Sequence, residues 1–243
     1  MFIYSDKGVE VKAFIELGFI NHIFTNKYFG IDFNEYSLMR NDLRIPDAVI
    51  EKVFKLNFNA DNLVFTKQVH GDKVIIVTHE NRENILGTEA DAIITKELNL
   101  PIVIFTADCV PIFLVDKKKK IVAAVHAGWK GTALKIVTKV VKGMTEYFGS
   151  IPNDIIAAIG PSIGPCCYEV KEDLGVFFNL INKGEKFYIS LSEENKKQLI
   201  ESGILEENIY ESLICTMCRN DFYSYRRDGT MTGRQLNIIQ IKE

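Results

Sequence analysis

Between Leu63 and His126 the chain passes through six short apolar segments, LVFTKQV, KVIIVT, DAIIT, IVIFT, IFLVD and IVAAVH, each rich in Val and Ile and bounded by turn residues. This length and composition predict β-strands, and the density of apolar positions predicts a buried sheet system. The charge run DKKKK at 116–120 falls between two of these segments and predicts a solvated hairpin turn. The period then changes. Ile136, Val137, Val140, Val141, Met144, Tyr147 and Phe148 recur on one face at helical spacing, which predicts a helix from Thr132 to Phe148 with Gly149 as its stop. A second helix is predicted through SEENKKQLIESG, with Ser192 as cap and Gly203 beyond its end. Strands cluster first and helices come mostly later, so the expected class is α+β rather than a regular parallel βαβ fold. No repeat, low-complexity tract or Pro/Gly/Ser-rich linker divides the chain. Its 243 residues suit one domain spanning 1–243.

Candidate chemistry lies at the strand ends. His70 closes TKQVHG, Cys109 sits inside the apolar stretch FTADCVPIFLVD, and His126 closes AAVHAGW. Strand ends of one sheet system can converge, and two imidazoles with one thiolate make a zinc site whose fourth position stays open for water or substrate. A cation there would also supply the lowered thiol pKa that an apolar strand denies to Cys109. Asp108, beside it, is expected to orient a ligand or move protons. The same residues also read as a Cys-His hydrolase, with Cys109 as nucleophile and His126 as base. Each of these residue types is common as inert core. What raises these three is that only four histidines occur in the chain and two of them end apolar strands just before a Gly or Ala-Gly turn, where binding residues are displayed. His22 and His79 lack that setting, and His79 in THENREN reads as surface.

Three further segments matter. CTMC, with Cys215 and Cys218, has zinc-knuckle spacing, but a structural site needs a second pair and the sole candidate is the adjacent Cys166 and Cys167. The segment GPSIGPCCYEV, 160–170, reads instead as a rigid loop that sets backbone N–H groups of Gly160 and Gly164 against an anion, or carries a substrate-facing Cys. YSYRRDGTMTGRQ, 223–235, offers Arg226, Arg227 and Arg234, whose guanidinium forks match phosphate oxygens. HAGWKGT lacks the spacing of a phosphate loop, which argues against an NTPase.

Composition removes several classes. The net charge of -3 argues against a nucleic-acid footprint, and no uncharged run approaches the roughly 20 residues of a membrane span. Asp6 and Lys7 interrupt the start before a signal-peptide core forms, and five cysteines, two of them adjacent, suit a reducing cytoplasm better than a disulfide framework. The expected protein is cytoplasmic, with small-molecule partners and neither membrane nor nucleic acid. Its oligomeric state is not legible.

Taken in order, TKQVHGDKV, ADAIIT, TADCVPI, VHAGWKGT, IGPSIGPCCYEV, CTMC and YSYRRDGTMTGRQ resemble the YfiH/laccase-domain family, named for multicopper polyphenol oxidase and also for purine nucleoside phosphorylase. The resemblance covers about Leu63 to the C-terminus. It implies mixed β-sheets flanked by helices, similar to the catalytic domain of cytotoxic necrotizing factor, and zinc, with copper as the alternative metal, on His70, Cys109 and His126. It implies phosphorolysis of adenosine, inosine or methylthioadenosine to base and ribose 1-phosphate, with deamination of adenosine, or else copper-dependent oxidation of phenols. Four histidines cannot supply a three-copper cluster beside a thiolate site, which favours the nucleoside chemistry. On that reading Asp108, Cys167 and Arg227 are the catalytic candidates, and Gln68, Gly160, Gly164, Arg226 and Arg234 bind nucleoside and phosphate. The N-terminal segments HIFTNKYFG and SLMRND depart from the family's usual pattern; if they line the substrate pocket, substrate preference or rate is expected to differ.

Overall fold

The computed structural model describes all 243 residues. Its two large sheets follow from strands that are apolar on both faces. In Val110–Asp116 every residue is buried, and alternate side chains point to opposite sides. Phe113 and Val115 meet Phe24, Ile102, Ile104, Ile239 and Ile241 between the sheets, whereas Ile112 and Leu114 pack outward against Val137, Val140, Val141 and Met144. One sheet runs in the order Phe2–Tyr4, Gly8–Val11, Ile20–Thr25, Gln235–Ile241, Ile102–Thr106, Val64–Phe65. The other runs Ile209–Glu211, Ile155–Ile159, Val110–Asp116, Ile121–Ala127, Ala92–Thr95, Val74–Ile76. Pairing is mixed: three strand pairs are parallel, namely 155–159 with 209–211, 64–65 with 102–106, and 74–76 with 92–95. A three-stranded antiparallel sheet of 169–170, 186–188 and 181–183 stands apart.

Helices cover both outer faces, giving four layers in one compact α+β domain. Ile136–Phe148 and Leu191–Glu201 lie on the second sheet, and Phe33–Asp42 and Asp47–Lys55 put Met39, Val49 and Val53 against Phe65, Val103 and Leu236 of the first. No helix is long and apolar enough to cross a membrane.

Several local expectations shift. The helix predicted over 132–148 is two helices, Trp129–Ala133 and Ile136–Phe148, because Lys135 takes the left-handed conformation (φ 59°) between them. Gly149 ends the second at φ 66° as expected. The next helix is capped by Ser190, not Ser192; the Ser190 hydroxyl accepts from the Glu193 N–H at 3.4 Å. The DKKKK segment does join an antiparallel pair, with Asp116 Oδ1 accepting the N–H groups of Lys118 and Lys119.

His22 lies in the strand Ile20–Thr25, wholly buried, its Nε2 accepting the Val11 N–H at 2.6 Å. Burial holds its pKa down to about 3, so the folded chain keeps it neutral while an unfolded chain protonates it near 6.5. Stability from this residue is therefore full above pH 6.5 and is lost as pH falls towards 3. Between pH 7.5 and 5 the loss is about 2 kcal/mol. Denaturant midpoints across that range should fall faster for the wild type than for His22→Gln, which keeps an acceptor for Val11 but cannot protonate; parallel falls would remove His22 as the cause.

Candidate active site

Antiparallel register brings the first two site residues together. Val110 pairs with Ala127 and Pro111 with His126, so Cys109, one residue before the strand, lands beside the end of its partner. His70 arrives from a different loop, held at φ 60°. The three ligand atoms lie within 4.8 Å of one another, and the two imidazole rings stand edge to face with centroids 4.8 Å apart. Gly128 makes this closeness feasible: a Cβ there would come within 2.9 Å of His70 Cδ2 and 3.1 Å of Cys109 Sγ.

Asp91 organises the group. It is fully buried at the start of Ala92–Thr95 and accepts four hydrogen bonds. Oδ1 takes the His70 N–H at 3.0 Å and His126 Nδ1 at 2.7 Å, while Oδ2 takes the N–H groups of Val69 at 3.2 Å and Gly71 at 2.8 Å. Burial raises its pKa, but these donors and the His126 charge more than offset that, and the carboxyl stays ionised. An ionised carboxylate only accepts, so Nδ1 of His126 carries the proton and Nε2 is left to face Cys109 and His70. Asp91 lies in ADAIIT and is not among the sequence candidates. The signal is a carboxylate opening the apolar segment DAIIT.

Burial pushes the Cys109 thiol up, yet the charge of His126 and hydrogen bonds from both imidazoles bring its pKa down to about 6. Burial pulls His126 down, and the Cys109 and Asp91 charges carry it up to about 9. A thiolate and two imidazoles in reach of one point, one imidazole oriented by a carboxylate, are the donor set of an open zinc site.

The triad opens into a cleft of about 490 Å³ that is also lined by Tyr36, Phe105, Trp129, Tyr168 and Tyr225 and by Arg40, Arg226 and Arg234. These arginines have no carboxylate partner, whereas Arg219 and Arg227 pair with Asp221 and Asp228. Arg226 lies over the Tyr168 ring at 5.2 Å and Arg234 over Tyr36 at 4.6 Å. Burial and the Cys109 charge, against the pull of Arg226, hold the Tyr168 phenol up at about 12, so it stays a donor. Arg40 falls in SLMRND, the segment noted as departing from the family pattern.

The remaining candidates occupy other positions. Asp108, at φ 87°, lines the cleft, but its carboxylate accepts from Thr216 Oγ1 at 2.7 Å, Ser224 Oγ at 3.1 Å and the Arg226 N–H at 2.7 Å, so it fastens the 215–226 segment beside Cys109. Gln68 lines the cleft too, its amide exchanging two hydrogen bonds with the Phe105 backbone. Arg227 lies outside the cleft lining, its guanidinium spent on the carbonyls of Thr216, Met217, Arg219 and Phe222. Gly160 and Gly164 also lie outside it: a Cβ on Gly160 would strike the Phe24 ring at 2.4 Å, and the Gly164 N–H points at Cys215 Sγ. Cys167 faces other thiols, 3.3 Å from Cys218 Sγ.

The profile of the family described as "Multi-copper polyphenol oxidoreductase laccase" matches residues 23–242. The chain belongs to this laccase family. Among its relatives, the purine nucleoside phosphorylase YlmD of Bacillus subtilis (strain 168) is 36% identical over 244 residues, covering 90% of this chain and 88% of that protein. The adenosine deaminase RL5 of an unknown prokaryotic organism is 35% identical, covering 89% of each. The crystal structure of YlmD from Geobacillus stearothermophilus superposes with a TM-score of 0.86 at 28% identity, over 100% of this chain and 99% of that one. Relatives named for phosphorolysis and deamination make the laccase family one of enzymes, with a metal-associated name that accords with the His-Cys-His cluster.

Proposed function

We propose that the chain is a zinc-dependent purine nucleoside phosphorylase, acting on adenosine, inosine or methylthioadenosine, with adenosine deaminase activity at the same site. The observation that carries this reading is that the His70-Cys109-His126 cluster and three carboxylate-free arginines share one aromatic-walled cleft of nucleoside size. Zinc, or copper in its place, held by those three residues would supply a Lewis acid where charge develops. The rest of the work falls to the chain. Aromatic faces of Tyr36, Trp129 and Tyr168 hold a purine or ribose. Arg226, whose backbone N–H is fixed by Asp108 and whose guanidinium donates to the Glu169 carbonyl at 3.0 Å, and Arg234 hold phosphate at a set angle. A phosphate oxygen forms the new bond to C1′ as the bond to N9 breaks, and the purine leaves with the electron pair and takes a proton. The neutral Tyr168 hydroxyl is the donor available for that charge.

The histidines favour this over the oxidase reading. His22 is buried on the Val11 N–H and His79 bonds the Leu98 carbonyl at the surface, which leaves two imidazoles for the cleft, too few for a three-copper cluster. The lowered thiol of Cys109 beside His126 favours one competitor, a Cys-His hydrolase. Chelation separates the two: loss of turnover on metal removal supports the phosphorylase, and full retention supports the hydrolase.

Chromatography of products from adenosine with and without phosphate tests the reaction itself. Adenine released only with phosphate, and inosine formed without it, are expected. Arg234→Ala should raise the phosphate KM about 10- to 100-fold, the worth of one charge-assisted fork. No base release at any phosphate concentration would sink the proposal.

A further inference from the structure

Four of the five cysteines have gathered away from the cleft. Cys166, Cys167, Cys215 and Cys218 hold their sulfurs within 4.8 Å of one another, with Cys218 Sγ at 3.6 Å from Cys166 and 3.3 Å from Cys167. All are free thiols. A disulfide needs about 2.0 Å between sulfurs, whereas a tetrahedral zinc with bonds of about 2.3 Å spaces its thiolates about 3.8 Å apart, close to what the chain presents. We infer that Cys166, Cys167, Cys215 and Cys218 form a second metal site, a tetrathiolate that takes zinc and has a structural role.

The surrounding backbone is built for it. Cys215 to Cys218 form a turn closed by the Arg219 N–H on the Cys215 carbonyl at 3.2 Å. The Gly164 N–H donates to Cys215 Sγ at 3.2 Å, the kind of outer-shell bond that steadies a ligating thiolate. Gly164 is needed for a second reason: a Cβ there would press on Cys166 Sγ and Cys215 Cβ, each at 3.3 Å. Adjacent cysteines can both serve because 165–167 is itself a turn, its Cys167 N–H bonded to the Gly164 carbonyl at 3.0 Å. A bridge between Ser162 and Cys215 lays the two segments side by side.

The consequence reaches the cleft through the chain. The 160–170 segment carries Ile163 and Tyr168, and the 215–226 segment carries Thr216, Ser224 and Arg226, which grip Asp108 beside Cys109. A closed four-sulfur site has no open position for substrate, so its contribution is to fasten these two walls together.

The test isolates the second site by removing the first. The His70→Ala/His126→Ala variant, refolded or purified in cobalt(II), should bind one equivalent and show the intense sulfur-to-cobalt charge-transfer and visible bands of tetrahedral thiolate coordination. Adding Cys215→Ser and Cys218→Ser to that variant should abolish both. If the double variant does not fold, X-ray absorption at the zinc edge of the wild-type protein decides instead: a mean shell richer in sulfur than nitrogen supports two filled sites, and a nitrogen-rich shell of one zinc overturns the second. The inference also falls if the folded double variant binds no stoichiometric cobalt, or if intact mass shows these cysteines paired as a disulfide in freshly isolated protein. None of these readouts depends on nucleoside turnover, so they stand apart from the proposed reaction.

Discussion

Asp91→Asn is expected to lower metal affinity at the His70-Cys109-His126 cluster about 10- to 100-fold, the usual cost of losing the partner that orients a ligating imidazole. The geometry makes this substitution worse than its size suggests. Four donors converge on two carboxylate oxygens, and an amide offers one oxygen and one NH2. If the oxygen stays with His126 and His70, the NH2 points at the N–H groups of Val69 and Gly71; turned round, it points at His126 Nδ1–H. Either way a buried donor meets a donor, and the 69–71 turn that holds His70 at positive φ loses its anchor. The loss of the buried carboxylate should cost about 3 kcal/mol or more, a fall in Tm of roughly 6 °C or more for a chain of this length. Competition against a chelator and thermal melts of metal-free protein measure the two effects separately. Unchanged metal affinity would show that His70 and His126 are placed without Asp91.

Cys109→Ala should be more severe for turnover and milder for the fold. A nucleoside reaction that relies on a Lewis acid at this point should slow by about 10³-fold, the equivalent of about 4 kcal/mol in the barrier. Cys109 is partly buried and sits at a strand end, not inside the main clusters, so circular dichroism should be little changed. The charges are also expected to respond. The Cys109 thiolate contributes much of what carries His126 up to about 9, so in metal-free protein the variant's His126 should titrate at lower pH than the wild type's. In the metal-free wild type the ultraviolet absorbance of the thiolate should persist as pH is lowered until about 6. Activity surviving in Cys109→Ala would remove both the metal reading and the hydrolase reading at once, since each needs that sulfur.

The sheet system, the hairpin at 116–120, the helix ending at Gly149 and the three cleft residues were all legible before the fold was known. Each rests on local rules. A strand of Val and Ile buried on both faces and a helix with one apolar stripe are decided within ten or so residues; His126 does lie near the end of its strand, whereas the strand expected to end at His70 stops at Phe65 and His70 lies in a loop. The strand Gln235–Ile241 is not among those the pattern predicts. Its place at the centre of the first sheet is set by Ile20–Thr25 and Ile102–Thr106, both more than a hundred residues away along the chain. Arg227 shows what a linear pattern leaves out: an arginine in a Gly-containing loop suggests phosphate, and the fold surrounds its guanidinium with four carbonyls.

By itself, the sequence determined which residues are chemically able: the scarce histidines, the thiol in an apolar strand, the arginines near the C-terminus. Only the tertiary structure decided which of them meet. Pairing of Val110–Asp116 with Ile121–Ala127 put Cys109 beside His126, Asp91 drew in His70 from a third segment, and the Ser162–Cys215 bridge brought the CTMC pair to Cys166 and Cys167, the one candidate pair the sequence offered it. The physical reason is common to all three. Ligand geometry is fixed by hydrogen bonds between separate segments, near neighbours across the 116–120 hairpin and more distant ones for His70 with Asp91 and Ser162 with Cys215, and a linear pattern holds the donors without their distances.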